Sequence, residues 1–276
     1  MPSDSASARL HSVQSRPGNI WLSSPPTIPK YRLHDHEFRD GARMQLGVSQ
    51  FSSVPNAWTC RCGAIVQGDD VTHAMHCPKT AGLRQKRHDA LVDTIQQFER
   101  QCGNWSSVEC LYRRCGRDRM NLQQNRTQGR GDIHTIRRAA TGDTIVDVVM
   151  PSPLASQYLP RARGGPGHAA DAAEQQKTRA YLADHNCPGY TFRPVAVEVF
   201  GRWGSGAMRF ARESVDGAGF IGRQRALAFD NFCKAVAFER VRWNSRILTH
   251  GVGLSAAATG RNSVPGFSVP SPEWDG

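Results

Sequence analysis

Two acidic residues interrupt a segment that otherwise has the pattern of a β-hairpin. From Gly131 to Pro151 the sequence reads GDIHTIRRAATGDTIVDVVMP. β-Branched residues flank the turn-like sequence ATGD, which predicts two antiparallel strands. Asp147 lies inside the second apolar run, where a carboxylate is costly to bury unless something pairs with it. The fold must therefore provide Asp147 with a partner.

The spacing of Asp132 and Asp147 predicts where they meet. Paired positions in a hairpin have a constant sum, so an even-length loop centred on Ala139 and Ala140 sets the two acids directly opposite on one face. Two like charges that close are unfavourable unless a cation lies between them. Mg2+ or Mn2+ with oxygen ligands removes this conflict, which predicts a metal site. The alternative is a slipped register in which both carboxylates are solvated.

Four potential metal ligands lie in the short segment CRCGAIVQGDDVTHAMHC. Cys60, Cys62, His73 and Cys77 form a three-thiolate, one-imidazole set, which suits tetrahedral Zn2+. A small module can close around such an ion without a core of its own. His76 competes as the imidazole ligand, but His73 is one helical turn from Cys77 and is favoured. The alternative is a chance cluster of free cysteines.

The chain is strongly basic. Its 276 residues include 35 Lys and Arg against 24 Asp and Glu, so the net charge is +11 and the pI is about 9.7. This balance favours a polyanionic partner, most commonly nucleic acid, over a surface that is basic only for solubility. Clustering of the basic residues strengthens that interpretation; the clusters are Arg84, Lys86 and Arg87; Arg113, Arg114, Arg117 and Arg119; and Arg126, Arg130, Arg137 and Arg138.

Several protein classes are disfavoured. No run of about 18 apolar residues is present, so no membrane association is expected. The N-terminal residues lack the apolar core of a secretory signal. The eight cysteines are too scattered to predict a disulfide framework in a chain of this length, and we expect a reducing compartment.

Composition and periodicity divide the chain into four parts. Residues 1–30 and 249–276 are rich in small and polar residues and are predicted to be disordered. Residues 31–80 are predicted to hold a helix and the zinc knuckle. Residues 81–248 alternate between helical and strand patterns, with three strands between the first two helices and a fourth strand after them. This order predicts an α/β domain with a mixed sheet.

A helix with the sequence AADAAEQQKTRAYLAD offers a cation for chemistry on phosphate. Lys177 shares one helix face with Glu174 and Tyr181. Hydrolysis of a phosphodiester uses a metal ion and benefits from a further cation that stabilises the transition state. The alternative is a solvated helix face that carries an ordinary Glu–Lys pair.

The series of motifs resembles a known family. In order they are the Cys/His knuckle, RQKRHDAL, GRGDIHT, IVDVVMPSP, EQQKTRAY and FRPVAVEVFG. Over about residues 35–248 the chain resembles the C-terminal region of non-LTR retrotransposon reverse transcriptase proteins that carry a restriction-like endonuclease of the PD-(D/E)xK superfamily. The resemblance implies a restriction-endonuclease-like mixed sheet flanked by helices and preceded by a small zinc knuckle.

The resemblance also implies roles for individual residues. Asp132 matches the Asp of the PD element, and Asp147 matches the acidic residue of the next strand. The lysine is displaced from position 149 to the following helix, where it matches Lys177, and Tyr181 follows it. The basic signature just after the knuckle implies nucleic-acid contacts by Arg84, Lys86, Arg87 and His88.

The implied function is a metal-dependent DNA endonuclease that nicks its target, with structural Zn2+ and catalytic Mg2+ or Mn2+. The implied setting is the nucleus, with DNA or RNA as partner and a reverse transcriptase acting in trans, because the chain has no YxDD-type polymerase segment. Gly131 stands where the family has the proline of PD. The alternatives are a catalytically inactive, zinc-containing nucleic-acid-binding module and a truncated retroelement relic.

Overall fold

The computed structural model describes residues 3–48, 57–60, 62–67, 71–111, 130–137, 143–185 and 187–251. The N-terminal elements are α1 (Asp4–Val13), α2 (Arg16–Asn19), two single-turn 3-10 helices (Ile20–Leu22 and Pro29–Tyr31) and α3 (Asp35–Leu46). They are followed by β1 (Ala57–Thr59), β2 (Ile65–Gln67), α4 (Val71–His76), a third 3-10 turn (Pro78–Thr80) and α5 (Ala81–Gln101). The remaining elements are β3 (Trp105–Leu111), β4 (Arg130–Ile136), β5 (Asp143–Val149), α6 (Leu159–Ala162), α7 (His168–Asp184), β6 (Tyr190–Ala196), α8 (Ser205–Gly217) and α9 (Gly222–Gly251).

A four-stranded mixed sheet organises the larger part of the fold. Its strand order is β3-β4-β5-β6; the first three strands are antiparallel to their neighbours, and β6 runs parallel to β5. A parallel pair needs a crossover connection, which α6 and α7 provide. The predicted α/β class with a mixed sheet flanked by helices is confirmed.

The two faces of β5 have different partners because successive side chains point to opposite sides of a strand. Val146 and Val148 belong to the main core, to which α5, α8 and α9 contribute. Ile145 packs with Tyr181 of α7 on the opposite face. Asp147 shares the face of Ile145 and therefore points toward α7.

The predicted register of the hairpin is confirmed. Ile133 of β4 pairs with Val146 of β5 in the predicted register, and regular pairing ends one residue before Asp132 and Asp147, whose carboxyl groups contact each other. The turn predicted at ATGD includes residues that lie outside the described ranges. Most of the clustered arginines between positions 113 and 138 also lie outside them.

The prediction that residues 1–30 are disordered is wrong. Ser3 caps α1 by accepting a hydrogen bond from the Ala6 amide. Ile20 and Trp21 enter the main core, and Trp21 is only 3% exposed. The high content of Ser and Pro concealed this short apolar segment, which two buried residues, Ile20 and Trp21, anchor to the core.

The C-terminal boundary also differs from the prediction. Helix α9 continues to Gly251, and Ile247 and Leu248 are buried. Residues 252–276, which make up most of the predicted tail, lie outside the described ranges.

The segment predicted as a zinc knuckle shares a core with the C-terminal helix. Val66 and Met75 from this segment form a buried cluster with Phe200, Ile247 and Leu248. The division at residue 80 therefore separates two parts of the sequence that pack against each other. Within the described residues, no helix is long and apolar enough to span a membrane.

Replacement of Trp21 by Ala is expected to cost roughly 3–5 kcal/mol of unfolding free energy, because it removes a large buried side chain from the main core. The neighbouring Leu22 is 48% exposed, so Leu22→Ala should change the free energy by about 0.5 kcal/mol or less. Denaturant unfolding measures both. Equal effects of the two substitutions would show that the N-terminal segment is not packed in solution.

Candidate active site and metal centre

Asp132 lies where β4 parts from β5. Regular pairing of the two strands ends at Ile133 and Val146. Beyond that point the Val148 amide donates to the Asp132 Oδ2, at 2.6 Å, and not to a backbone carbonyl of β4. The opposite side of Asp132 is also irregular, since the pairing of β3 with β4 skips Glu109, which has a positive φ of 62°. The register of β3 with β4 is the same before and after this gap, so no residue is inserted and the irregularity is confined to Glu109 and Asp132.

Asp147 forms an ion pair with Lys177 across the α7 face of the sheet. The Lys177 Nζ is 3.1 Å from each carboxylate oxygen. The Asp147 side chain is 13% exposed and that of Lys177 is 41% exposed, so the ammonium group remains accessible from solvent. The two residues are thus in contact, and their joint action on a phosphate stays a prediction.

His88 contacts Asp132 from helix α5. Its Nε2 is 3.1 Å from the Asp132 Oδ2 and 3.2 Å from the Val148 carbonyl oxygen, and its Nδ1 is 3.3 Å from the Asp89 Oδ1. The basic motif predicts a nucleic-acid contact for His88 and gives no sign of this contact with Asp132. Nothing in the spacing could have indicated it, because 44 residues separate His88 from Asp132.

The two carboxyl groups have opposite pKa shifts. Burial raises the pKa of Asp147 to about 6. The negative charge of Asp132 also raises this pKa, whereas the positive charge of Lys177 lowers it. Burial acts in the same direction on Asp132, but hydrogen bonds from His88 and the Val148 amide lower its pKa overall. The hydrogen bond to Asp132 raises the pKa of His88 to about 9. At neutral pH the site therefore holds two adjacent anions, Asp132 and Asp147, between two cations, His88 and Lys177.

Tyr181 lies in a packed cluster. It is 4% exposed, its ring stacks on Phe192 with centroids 4.3 Å apart, and its hydroxyl accepts a hydrogen bond from the Cys187 amide. These contacts are those of a packing residue, and a catalytic role for Tyr181 stays a prediction.

The predicted nucleic-acid residues at the start of α5 differ in exposure. Lys86 is exposed, whereas Arg84 is partly buried and donates to the Cys77 carbonyl oxygen. Arg87 is only 4% exposed and donates to the Asn244 Oδ1 at 2.7 Å. This burial contradicts the prediction that Arg87 contacts a phosphate. A cluster of basic residues in the sequence of a helix does not by itself show which of their side chains is buried.

Two buried glutamates on the α7 side of the sheet accept hydrogen bonds from backbone amides. Glu174, the predicted neighbour of Lys177, is buried and accepts hydrogen bonds from the amides of Ala196, Gly206 and Ala207. Glu198 is buried and accepts from the Ala170 amide in the first turn of α7. Glu174 is therefore not on a solvated face, and Glu198 is not part of the candidate active site.

The four predicted metal ligands converge. The ligand atoms of Cys60, Cys62, His73 and Cys77 all lie within 4.8 Å of one another. The Cys60 and Cys77 sulfurs are 3.6 Å apart, and the Cys62 sulfur is 3.4 Å from the His73 Nε2. We call these residues the Cys/His cluster.

Local structure explains this convergence. β1 and β2 form a hairpin whose turn at Gly63 has a positive φ of 88°, and α4 places His73 and Cys77 one turn apart. His76 is instead exposed, with its Nδ1 2.8 Å from the Thr72 carbonyl oxygen. The preference for His73 over His76 is confirmed by this geometry.

The donor set fits a metal such as zinc, because three sulfurs and one imidazole nitrogen are the ligands of structural tetrahedral sites. Burial raises the pKa of the Cys60 thiol to about 11, so this thiol holds its proton in the absence of a cation. A bound metal ion reverses that preference, because it stabilises the thiolate.

Comparison of the chain with models of protein families and with curated proteins found no match.

Replacement of Asp147 by Asn is expected to stabilise the protein in the absence of divalent metal. A carboxyl pKa raised from 3.8 to about 6 makes ionisation unfavourable in the folded state. This cost is absent below pH 4, grows between pH 4 and 6 and stays constant above that range. Asp147→Asn should therefore raise the free energy of unfolding at pH 7 by roughly 1–3 kcal/mol.

Denaturant unfolding at pH 4 and pH 7 measures this gain. Asp184, exposed at the end of α7, provides the matched control, and Asp184→Asn should show no such pH dependence. A loss of stability in Asp147→Asn at pH 7 would mean that the Lys177 ion pair outweighs burial.

Proposed function

We propose that the protein is a metal-dependent DNA endonuclease that nicks DNA by hydrolysis of a phosphodiester bond. The observation that carries the proposal is the grouping of Asp132 and Asp147 on facing strands, with the Lys177 ammonium 3.1 Å from the second carboxylate. Two like charges side by side, one with a raised pKa, are costly for a purely structural site.

Asp132 and Asp147 are the residues that would hold Mg2+ or Mn2+, since carboxylate oxygens are the ligands these ions favour. When bound, such an ion supplies a water molecule of lowered pKa and neutralises charge on the phosphate. In the reaction, the water oxygen bonds to phosphorus, the bond from phosphorus to a bridging sugar oxygen breaks, and that oxygen gains a proton.

Lys177 provides the cation of the proposed mechanism. Its ammonium group neutralises Asp147 in the absence of DNA and is exposed enough to reach a phosphate oxygen when DNA is bound. A fixed positive charge beside the phosphate stabilises the negative charge that develops in the transition state.

The fold and family assignments are part of the proposal. A mixed sheet with α5 on one face and α7 on the other, together with the ordered motifs, supports a restriction-like endonuclease derived from a non-LTR retrotransposon. With it come a nuclear location and a reverse transcriptase acting in trans. Two departures from the family pattern favour the second candidate, a nucleic-acid-binding module without catalysis: Gly131 stands in place of the proline, and the sequence has no YxDD-type polymerase segment.

DNA is the partner that the charge favours. The net charge of +11 predicts binding dominated by phosphates. The affinity should fall steeply as the salt concentration rises, because release of counterions from the DNA then becomes less favourable. Of the basic residues at the start of α5, Lys86 is the exposed one and is the best placed to contribute.

Nicking of a supercoiled plasmid tests the proposal. Wild-type protein should nick in Mg2+ or Mn2+ and remain inactive in EDTA. Asp147→Asn and Asp132→Asn should each reduce the rate by at least about 100-fold, because each removes a ligand of the catalytic metal. Lys177→Ala should reduce it by about 10- to 1000-fold and weaken DNA binding slightly.

Asp184→Asn serves as the matched carboxylate control and should nick at the wild-type rate. DNA binding without nicking by the wild type would leave the binding-module candidate in place of the endonuclease. Neither binding nor nicking would favour the relic. Nicking by Asp147→Asn at the wild-type rate would contradict the proposed site.

Zn2+ is the proposed occupant of the Cys/His cluster. We expect one equivalent of zinc in protein purified without chelator, and we expect Cys77→Ser to lose most of it, because the serine hydroxyl is a poor ligand for this ion. Elemental analysis measures the zinc. Cys233→Ser, a buried cysteine outside the cluster, should retain it. Equal zinc contents in the two variants would contradict the assignment.

A further inference from the structure

Regular pairing between β4 and β5 ends before Val148, so the Val148 amide and carbonyl have no backbone partner on β4. A buried amide or carbonyl must find a hydrogen bond elsewhere. The Val148 amide donates to the Asp132 Oδ2 at 2.6 Å. The Val148 carbonyl oxygen is 3.2 Å from the His88 Nε2, which is also 3.1 Å from the same Asp132 oxygen. His88 and Asp132 therefore fill the gap together.

The contacts fix which atoms of His88 donate. Both neighbours of the Nε2 are acceptors, so this nitrogen carries a hydrogen and shares it between them. The Nδ1 faces a third acceptor, the Asp89 Oδ1, at 3.3 Å. The imidazole ring is thus oriented by three oxygen atoms, and its side chain is 28% exposed. A contact of this ring with nucleic acid would have to break one of these bonds.

Helix α5 holds His88 in place. Arg87 beside it is buried and bonded to Asn244 of α9, and it also contacts the Met75 sulfur of α4. One turn further along, Leu91 and Val92 are buried in the main core. The position of the imidazole is therefore determined by packing on both sides of the residue, as a positioning group requires.

We propose that His88 is a positioning residue that orients Asp132 for metal binding; the inference rests on the proposed function. The Val148 amide and His88 both donate to Oδ2 of Asp132, and the Asp132 carboxylate also contacts the carboxyl group of Asp147. In the proposed site a shared metal ion would take the place of this carboxyl–carboxyl contact, with Oδ1 of Asp132 as the oxygen left to bind it. Hydrogen bonds that orient a metal-binding side chain typically change metal affinity by 10- to 100-fold.

Four variants test this role, with Mn2+ as the probe. His88→Leu removes the donor. His88→Gln retains an amide nitrogen about as far from the backbone as the Nε2, and its two hydrogens can serve Asp132 and Val148. His88→Asn retains a polar amide, but the asparagine side chain is too short for its nitrogen to reach Asp132 and Val148. Gln97→Leu, an exposed position on the same helix, is the matched control.

Binding of Mn2+ is measured from the electron paramagnetic resonance of the free ion, and nicking is titrated with Mn2+ in parallel. His88→Leu and His88→Asn should weaken Mn2+ binding and raise the Mn2+ needed for nicking by at least about 10-fold. His88→Gln should remain within about 3-fold of the wild type, and Gln97→Leu should match it. Where His88→Leu fails to fold, the comparison of Gln with Asn decides.

Wild-type Mn2+ affinity in His88→Asn would overturn the proposal, and so would an affinity in His88→Gln as weak as in His88→Asn. Failure of the proposed function is distinct: wild-type protein that binds Mn2+ but nicks no DNA loses the endonuclease assignment, while the order of Mn2+ affinities still decides the role of His88. Wild-type protein that neither binds Mn2+ nor nicks overturns both.

Discussion

The Val148 amide imposes the constraint on which the candidate active site depends. Once β4 leaves β5, this buried donor needs an acceptor, and a carboxylate oxygen is a strong one. Asp132 meets that need and thereby brings a negative charge beside Asp147. The fold can hold the two acids together only because cations approach from outside the pair, His88 on one side and Lys177 on the other. The Asp132 carboxylate therefore has two roles: it accepts the hydrogen bond of the Val148 amide, and it pairs with the charge of His88.

Buried glutamates set the position of α7, and with it the position of Lys177. Glu174 lies one turn before Lys177 and accepts amide hydrogens from the end of β6 and the first turn of α8. Glu198 accepts from the first turn of α7. Amides at a helix start have no intrahelical partner, and a carboxylate there also interacts favourably with the helix dipole. The two buried carboxylates therefore fix the position of α7, and the position of Lys177 on its exposed side follows from that of the helix.

Local patterns predicted much of this structure. Strand periodicity and the odd separation of Asp132 and Asp147 sufficed for the register, and ligand spacing sufficed for the choice of His73 over His76. Contacts between distant segments could not be predicted: His88 reaches Asp132 only through the packing of α5, and Arg87 turns inward to meet Asn244 of α9. The order of residues 3–22 was missed for the same reason, since Trp21 is apolar in a polar segment and its partners lie far along the chain.

The shared core between the Cys/His cluster and α9 has a consequence for how the protein can be divided. A fragment that begins at Ala81 would lose Val66 and Met75 and uncover Phe200, Ile247 and Leu248, which they help to bury. It would also deprive Arg87 of its Met75 contact beside the helix that carries His88. The sheet and its helices are thus not expected to fold as an independent domain. The segment that carries the Cys/His cluster, although it resembles an accessory module in sequence, forms part of the same hydrophobic core.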